Sequence, residues 1–437
     1  MSPAYLNHLR CPRCGEARPE DSAYGGCPSC AAEVVAVNLR PAYRIEAGPL
    51  PVSSDDGGVF RYRSLLPLPA EAHAVHLGEG GSPLLPLRRL GERWGLARLM
   101  LKDETGNPTW SYKDRLAAVA VSKAAADGAD TVVVATTGNH GAAVAAYAAA
   151  AGIDCVALTL TAVPATMRTL MQVYGARVFA YESGPDRWAV MAAAVTEHGW
   201  VPMSGYVNPP AGSNPFGVDG YKTIAYELWE TLGAVPDVVI MPAAYGDGLA
   251  GVHRGFGDLV ALGQATSVPR LVAIDPFGAY AAALVDPSAP PPLVPAGPST
   301  AFSVATPIAT YQGVEALRQS GGTAVGEPSD AEIMAMQARL AATEGLYVEA
   351  AGVLPLIAAR RLAADGWIRP HELVVAVATS TGLKDVAATE RLLPAPPTLT
   401  PDLGALDRAL AATNRTRVVT LAPAVTAPAA AGTEARS

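Results

Sequence analysis

Two kinds of segment alternate along most of the chain when its apolar and polar positions are followed in order. Short runs rich in β-branched residues predict buried strands, and longer segments with apolar residues at helical spacing predict helices. The predicted strands are 99–103, 131–134, 155–160, 177–181, 237–241, 271–275 and 373–378. The predicted helices are 114–126, 141–151, 164–174, 186–198, 217–232, 247–262, 328–342 and 351–365.

This alternation predicts an α/β fold. Buried strands separated by helices of ten or more residues form mostly parallel sheets with right-handed crossovers. The pattern occurs before residue 210 and again after it, so we expect two parallel-sheet α/β subdomains. Ligands of such sheets bind beyond the carboxyl ends of the strands, which predicts a site in the cleft between the subdomains.

Two cysteine pairs precede this pattern. Cys11 and Cys14 form one C-x2-C pair, and Cys27 and Cys30 form a second pair twelve residues later. In a chain without a secretion signal, four such cysteines fit a tetrahedral zinc site better than disulfides. We expect a structural zinc ribbon, because four thiolates leave no open coordination position. A degenerate or metal-free ribbon is the alternative, and a nucleic-acid-binding ribbon is a weaker one because residues 1–44 have about as many acids as bases.

Charge and hydropathy exclude several classes of function. The formal net charge of −8 argues against general nucleic-acid binding, which requires a basic surface. No apolar run is long enough to cross a bilayer, and the first residues lack the basic and apolar regions of a signal peptide. We therefore expect a cytoplasmic protein with no membrane or nucleic-acid partner.

The candidate chemistry lies within residues 102–141. Asn-Pro-Thr-Trp-Ser-Tyr-Lys-Asp-Arg places Lys113 at the start of a predicted helix, beside backbone amides that favour negative charge. Thr-Thr-Gly-Asn-His-Gly, residues 136–141, joins a predicted strand to a helix and leaves N–H groups free to hold an anion. A lone lysine is usually solvated and a lone glycine turn is usually only a turn, so the combination carries the information.

These segments resemble the lysine motif and the asparagine loop of the threonine-synthase branch of the fold-type-II enzymes that use pyridoxal phosphate (PLP). Residues 77–86, Leu-Gly-Glu-Gly-Gly-Ser-Pro-Leu-Leu-Pro, resemble the entry motif of that family. The resemblance implies a fold-type-II architecture in which Lys113 carries PLP as a Schiff base, and in which Asn139 contacts the ring hydroxyl. It also implies substrate contacts, most of all to the α-carboxylate, from Thr136, Thr137, Asn139 and His140.

Later segments extend the resemblance. The glycine-rich turn at 242–251 is similar to the family's phosphate loop, and its expected cofactor contacts are Gly246, Asp247, Gly248, Leu249 and Ala250. The Asp247 carboxylate is expected to point away from a phosphate or to pair with a base such as Arg254. Thr379, with Ser380 as the alternative, aligns with the hydroxyl residue that meets the pyridine nitrogen, and Glu349 resembles a glutamate near the cofactor. A neutral partner for that nitrogen favours elimination and replacement over transamination.

The expected substrate pocket departs from the family's pattern. Where threonine synthases have an Asn-Ser pair and an arginine that hold the phosphate of O-phosphohomoserine, this chain has Ala211, Gly212 and Gly217. Losing a charge-assisted arginine contact typically costs about 1.5–3 kcal/mol, so specificity for O-phosphohomoserine is not expected. Trp110 replaces the usual glycine of the lysine motif and is expected to add bulk near the substrate.

The sequence therefore predicts a PLP-dependent lyase or synthase that acts on a small amino acid by β- or γ-elimination or replacement. Lys113 is expected to act as the acid and base at Cα. Serine/threonine dehydration and a cysteate-synthase-like β-replacement are alternatives, and a non-catalytic PLP-fold sensor or scaffold is an alternative of another class. The resemblance also implies a homodimer.

The predicted domain organisation has three parts. Residues 1–45 form the zinc-ribbon-like module, and residues 60–395 form the catalytic domain, with a smaller subdomain inserted at roughly 105–210. Residues 396–437 form a C-terminal extension, whose last twenty or so residues read as a disordered tail because they are mostly Ala, Pro, Thr and Val with little charge pattern.

Overall fold

The computed structural model describes residues 4–22, 24–391 and 393–412. The strands are β1 (Ala4–Arg10), β2 (Ala17–Arg18), β3 (Arg40–Arg44), β4 (Leu84–Pro86), β5 (Arg98–Asp103), β6 (Thr131–Ala135), β7 (Asp154–Leu160), β8 (Arg177–Tyr181), β9 (Val201–Pro202), β10 (Val238–Pro242), β11 (Arg270–Asp275), β12 (Thr323–Gly326) and β13 (Leu373–Ala378).

Helices separate most of these strands. The α-helices are α1 (Pro28–Ala31), α2 (Arg88–Trp94), α3 (Lys113–Ala126), α4 (Asn139–Ala151), α5 (Ala165–Val173), α6 (Gly184–His198), α7 (Pro215–Val218), α8 (Lys222–Leu232), α9 (Asp247–Ala261), α10 (Ala279–Ala283), α11 (Tyr311–Gln319), α12 (Asp330–Glu344), α13 (Ala350–Ala364), α14 (Val386–Glu390) and α15 (Leu403–Ala412). Short 3-10 helices cover Glu20–Ser22, Gly58–Leu65, Glu104–Gly106, Asp219–Tyr221, Phe302–Val304 and Gly382–Asp385.

Two parallel sheets form the main body, which confirms the predicted fold class. The larger sheet has the order β12-β11-β10-β13-β5-β4 and is parallel except at β4, which pairs antiparallel with β5. The smaller sheet has the order β8-β7-β6-β9 and is parallel throughout. Its four strands fall between β5 and β10 in the sequence, so the smaller sheet is inserted within the larger unit.

The central strands are apolar on both faces because helices cover both sides of each sheet. All residues of β10 and β13 are buried, which explains their nearly continuous runs of valine, isoleucine and alanine. Helices α3 and α4 pack together through small residues, and α4 consists mostly of alanine. Among the described residues, no helix is both long enough and apolar enough to span a bilayer.

The segment predicted as a helix at 217–232 is helical throughout, but it is not a single α-helix. The chain forms α7, then a 3-10 turn, and only then α8. This segment packs closely on α3: a Cβ added to Gly220 would lie 2.0 Å from the Arg115 carbonyl oxygen, and one added to Gly217 would lie 2.9 Å from the Leu116 carbonyl oxygen. Helical periodicity does not report such a contact.

The N-terminal ribbon packs on the main body. Its sheet has the order β2-β1-β3, and its small core contains three of the four paired cysteines together with Phe216 from α7. The C-terminal extension contains α15, whereas its last 25 residues, where the tail was predicted, lie outside the described part of the chain.

Candidate active site

A cavity of about 220 Å³ is lined by residues from both parallel sheets. Its wall includes the residues that directly follow β6, β10 and β13, so it lies beyond the carboxyl ends of these strands. The start of α3, part of α6 and residues 302–306 complete the wall. Residues far apart in the sequence therefore meet at one place.

Lys113 is the first residue of α3 and lines this cavity. Its Nζ lies 5.0 Å from the ring centroid of Tyr112 and 5.8 Å from that of Tyr221, and these two rings stack at 4.6 Å. The Tyr112 amide donates to the Thr379 carbonyl oxygen at 2.9 Å, which ties the helix start to the end of β13. The amine is thus held beside an aromatic surface at the cavity wall.

The two residues after Lys113 anchor it. The Asp114 carboxylate accepts from the Thr109 amide and hydroxyl, at 3.0 and 2.8 Å. Burial raises the pKa of Asp114 to about 7, although these hydrogen bonds oppose the rise. Arg115 is fully buried and binds the carboxylates of Glu104 and Glu227 at 2.7 Å each. The lysine motif therefore contains its own anchoring groups.

The loop before α4 presents free amides to the cavity. The Thr136 hydroxyl oxygen accepts from the amides of Gly138 and Gly141, at 2.9 and 3.0 Å. The Asn139 and His140 amides lie in the first turn of α4, where no intrahelical acceptor exists. Thr136, Thr137, Asn139 and His140 all line the cavity. An anion at this helix start meets unpaired donors and a favourable dipole.

The Asn139 side chain belongs to a buried charged network. Its amide donates to Glu349 at 2.9 Å, and its oxygen accepts from the Lys384 ammonium at 2.8 Å. Burial lowers the pKa of Lys384 to about 8, against the opposing charges of Glu349 and Asp114. Burial also raises the pKa of Glu349. Sequence reasoning missed Lys384, although it lies in the Thr-Gly-Leu-Lys-Asp segment that carries the resemblance.

The glycine-rich turn forms the N-terminus of α9. Gly246 has a φ of +67°, and a Cβ there would lie 2.7 Å from the Gly313 Cα, so only glycine fits. Gly246, Asp247 and Gly248 line the cavity. Leu249 does not line it, and the Ala250 amide already donates to the Gly246 carbonyl oxygen at 2.8 Å. Ala250 is therefore not a free donor, contrary to the prediction.

The Asp247 carboxylate turns towards a neighbouring loop. It accepts from the Ser213 amide and hydroxyl, at 2.9 and 2.7 Å, and from the Gln312 side chain at 2.7 Å. The suggested pairing with Arg254 is wrong, because Arg254 pairs with the buried carboxylate of Asp219 at 3.0 Å. Three donors thus satisfy Asp247 within the protein.

The end of β13 distinguishes the two hydroxyl candidates. Thr379 lines the cavity, whereas the Ser380 hydroxyl donates to the Trp110 carbonyl oxygen at 2.9 Å and is not part of the wall. Trp110 itself has a φ of +60° and is 46% exposed, and it is not among the residues that line the cavity. The positive φ explains why glycine is usual there. The prediction that Trp110 adds bulk near the substrate is therefore wrong.

His140 and Arg187 lie in the cavity wall, and each has one buried nitrogen without a hydrogen-bond partner. His140 Nε2 is buried without a hydrogen bond, and burial together with the Lys113 charge lowers the pKa of this imidazole, which keeps it neutral. Arg187 Nε is also buried without a partner. Sequence reasoning did not select Arg187, because an arginine within an amphipathic helix is ordinarily solvated.

The four paired cysteines form a compact cluster away from the cavity. Their sulfur atoms all lie within 4.8 Å of one another, with Cys11–Cys30 at 3.6 Å and Cys14–Cys27 at 3.7 Å. Thiolates about 2.3 Å from a tetrahedral metal ion lie about 3.8 Å apart, so the cluster has the size of such a site. These separations are far longer than a disulfide bond of about 2.0 Å.

Comparisons with known proteins agree with this geometry. A family model described as "Pyridoxal-phosphate dependent enzyme" matches residues 75–380. The threonine synthase of Methanosarcina acetivorans is 31% identical over 387 residues, covering 87% of this chain and 93% of that protein. That of Halalkalibacterium halodurans is 32% identical over 330 residues, covering 75% and 90%. The processed threonine deaminase isoform 2 of Solanum lycopersicum superposes with a TM-score of 0.61 at 19% identity, covering 79% and 90%, and shows the same fold.

Proposed function

Because the chain belongs to the family of pyridoxal-phosphate dependent enzymes, as a threonine synthase-like lyase, we propose that it catalyses β- or γ-elimination or replacement on a small α-amino acid. The observation that carries the proposal is the shared cavity. Lys113, the amides before α4, the glycine turn before α9 and Thr379 reach it from four separate segments. Each of these groups has a different chemical task.

The residues of the cavity fit PLP. The free amides of Gly246, Asp247 and Gly248, which line the cavity, would hold its phosphate, and the Asp247 carboxylate is turned towards Ser213. Asn139 would contact the ring hydroxyl, and Thr379 would contact the ring nitrogen. When bound through Lys113, PLP supplies an electron-withdrawing ring that acidifies Cα of the amino acid.

The protein's own groups supply binding and proton transfer. The amides of Asn139 and His140, with Thr136 and Thr137 beside them, would hold the substrate's α-carboxylate. Once displaced by the substrate, the Lys113 amine would remove and return the proton at Cα. Thr379 carries no charge, so it cannot stabilise a protonated ring nitrogen, and this favours elimination or replacement over transamination.

O-Phosphohomoserine is not the expected substrate. The positions that hold its phosphate in threonine synthases are filled by Ala211, Gly212 and Gly217. A Cβ on Gly212 would lie 2.3 Å from the Gln312 side chain, and one on Gly217 would lie 2.9 Å from the Leu116 backbone. These positions thus serve packing. Serine/threonine dehydration and cysteate-synthase-like β-replacement remain the candidate reactions.

We also propose that Cys11, Cys14, Cys27 and Cys30 hold a structural zinc ion. The sulfur separations of 3.6 and 3.7 Å support this, as does the absence of a disulfide among the described cysteines. The test is a metal analysis of freshly purified, reduced protein. One zinc per chain is expected, and a value near zero would refute the site.

The remaining proposals concern assembly and organisation. We propose a homodimer, to be tested by light scattering, and a cytoplasmic location, which the free cysteines support because reducing compartments keep thiols unpaired. We also propose the division into residues 1–45, 60–395 with an insert at roughly 105–210, and 396–437, to be tested by limited proteolysis.

An absorption spectrum of the purified protein tests the main proposal. A visible band is expected with PLP, and it should be absent in Lys113→Ala. Lys123→Ala is the matched control, because Lys123 belongs to the same helix but lies outside the cavity wall. Borohydride reduction followed by peptide mapping should find the cofactor on Lys113. No band after reconstitution, or a label on another lysine, would contradict the proposal.

Added amino acids identify the substrate class. Serine, threonine, O-phosphoserine, O-phosphohomoserine and O-acetylated analogues are to be titrated against the visible band. The amino acid that shifts the band and releases a keto acid, or consumes a nucleophile, identifies the reaction. Tight binding and turnover of O-phosphohomoserine would overturn the specificity argument.

A further inference from the structure

Arg187 is a buried cation in the wall of the candidate active site. It lies on α6, is 8% exposed and lines the cavity. Its Nη1 donates to the carbonyl oxygen of Thr136 at 2.8 Å, and Thr136 is the first residue of the loop proposed to hold the α-carboxylate. This hydrogen bond to the backbone holds the guanidinium near the part of the cavity that is proposed to bind the amino-acid substrate.

The guanidinium has no anionic partner. In residues 4–22, 24–391 and 393–412, no carboxylate forms an ion pair with Arg187, and its Nε is buried with no hydrogen bond. Burial lowers the pKa of Arg187, and only Tyr245 opposes this. Buried arginines are almost always paired, because an uncompensated buried charge is costly. An arginine that remains unpaired at a cavity wall indicates that a ligand supplies the anion.

Other charges in the wall do not meet this need. Asp247 is satisfied by Ser213 and Gln312, and Glu349 by Asn139 and Ser303. Neither carboxylate forms an ion pair with Arg187, and both belong to other hydrogen-bond networks. Apart from Lys113, the lysine proposed to carry the cofactor, Arg187 is thus the cation of the cavity wall that no carboxylate of the described chain pairs with.

The surroundings of Arg187 favour a strong contact. The rings of Trp188 and Tyr245 lie 6.3 Å apart and both line the cavity. Apolar rings exclude water, which strengthens a charge-assisted hydrogen bond. The planar guanidinium can present two parallel N–H groups to a carboxylate, sulfonate or phosphate.

The positions that bind the substrate's phosphate in threonine synthases cannot do so here, because Gly212 and Gly217 are in close contact with neighbouring residues. Arg187 reaches the cavity from α6, so it would contact a ligand from a different side than those positions would.

Resting on the proposed function, we infer that Arg187 is a specificity-determining residue that binds an anionic group on the side chain of the amino-acid substrate. The substrate class is a small α-amino acid that carries a carboxylate, sulfonate or phosphate. Such a ligand would be bound at two points, with its α-carboxylate on the amides of Asn139 and His140 and its second anion on Arg187.

Matched ligand pairs test this inference in the holoenzyme. L-Aspartate has a charged side-chain carboxylate where L-asparagine has a neutral amide of similar size. O-Phospho-L-serine carries a phosphate that L-serine lacks. Spectral titration and calorimetry would give Kd for each ligand with wild type, Arg187→Gln and Arg187→Lys. Arg168→Gln is the control, because Arg168 also donates to a backbone carbonyl, that of Thr161, but lies outside the cavity wall.

The expected result is selective. Arg187→Gln should weaken binding of the anionic member of a pair by about 10- to 100-fold and leave the neutral member within about 3-fold. Arg187→Lys should recover part of the loss, because it keeps the charge but not the fork. Arg168→Gln should bind all ligands as wild type does.

Three outcomes would overturn the inference. Wild type could bind neutral and anionic members equally, or Arg187→Gln could weaken both members equally, which indicates a purely structural role. A loss confined to PLP affinity, measured by fluorescence, would assign Arg187 to the cofactor's phosphate. Calorimetry detects O-phosphoserine binding even without a visible band, so failure of the PLP proposal and failure of the Arg187 proposal are distinguishable.

Discussion

Replacing Arg115 by methionine is the most informative single perturbation of the site's framework. Arg115 is fully buried two residues after Lys113, and it donates to both oxygens of Glu104 and both oxygens of Glu227 at 2.7 to 2.9 Å. Lys102 adds a second cation, 2.6 Å from Glu227. The four charges balance, so removing Arg115 leaves one buried negative charge uncompensated.

The magnitude follows from this imbalance. Removing one partner of a buried ion pair typically costs about 3–5 kcal/mol. The pKa of Glu227 gives an independent figure: burial disfavours its ionisation, but Arg115 and Lys102 outweigh burial and lower its pKa from 4.5 to about 2. At about 1.36 kcal/mol per pH unit, that depression corresponds to on the order of 3 kcal/mol. We therefore expect Arg115→Met to lower the free energy of unfolding by about 3–5 kcal/mol.

The pH dependence has a definite sign. A carboxylate whose pKa is depressed in the folded state stabilises the fold above its unfolded pKa of 4.5, and this contribution is lost as the pH falls towards 2. Arg115→Met removes much of that depression. The difference in unfolding free energy between wild type and variant should be largest above pH 5 and should shrink as the pH falls below 4.5.

Urea unfolding followed by tryptophan fluorescence measures the effect at pH 7 and at pH 3.5. The matched control is Arg177→Ala, which breaks an exposed pair with Asp154 at 2.9 Å and should cost less than about 1 kcal/mol. If Arg115→Met fails to fold, Glu227→Gln gives a milder perturbation of the same network. A loss for Arg115→Met no greater than that of the control, or a difference that grows in acid, would refute the reasoning.

Three further predictions concern the glycine turn, the contact with α3 and the ribbon. Gln312→Ala removes a donor from Asp247 and should raise the Kd for PLP about 5- to 10-fold, measured by fluorescence; an unchanged Kd would contradict the role of this contact. Gly217→Ala places a Cβ 2.9 Å from the Leu116 carbonyl oxygen and should lower stability by about 1–3 kcal/mol, whereas the control Gly257→Ala, on the open side of α9, meets no atom within 4 Å; equal stability of Gly217→Ala and wild type would refute the packing argument. A zinc chelator should make the four paired cysteines reactive to a thiol reagent while the buried Cys155 stays protected; reactivity that does not change on chelation would contradict a metal-thiolate site.

The ribbon is coupled to the active site by buried hydrogen bonds. Asn38, just after the ribbon's cysteines, donates to the Ser213 carbonyl oxygen at 2.9 Å and to Gln312 at 3.4 Å. Ser213 and Gln312 both bind Asp247 in the glycine turn. The ribbon thus contacts the two residues that donate hydrogen bonds to Asp247 in the glycine turn.

The sequence alone was sufficient where the signal is local. Strand and helix periodicity predicted the α/β fold, because buried parallel strands and amphipathic helices differ in their repeat. Lys113, the loop at 136–141 and the glycine turn were selected because their motifs, in this order, resemble those of the fold-type-II PLP enzymes, and each lies at a helix start where free amides are expected. The cysteine pairs were equally visible, because a metal site needs only ligands at a short spacing.

The tertiary structure decided which polar groups meet. Lys384 binds Asn139 across 245 residues of sequence, and Asn38 binds Gln312 across 274. No periodicity encodes such distances. The tertiary structure also decided that Asp247 binds Ser213 rather than Arg254, and that Trp110 lies outside the cavity wall.

Arg187 shows the physical reason for this division. Its residue type and helical position were evident from the sequence, and both are typical of a solvated surface arginine. Its burial and its lack of a carboxylate arise only when α6 packs beside β6 and the glycine turn. Local sequence determines which secondary structure a segment forms, whereas the assembled chain determines which charges are neutralised and which remain available to a ligand.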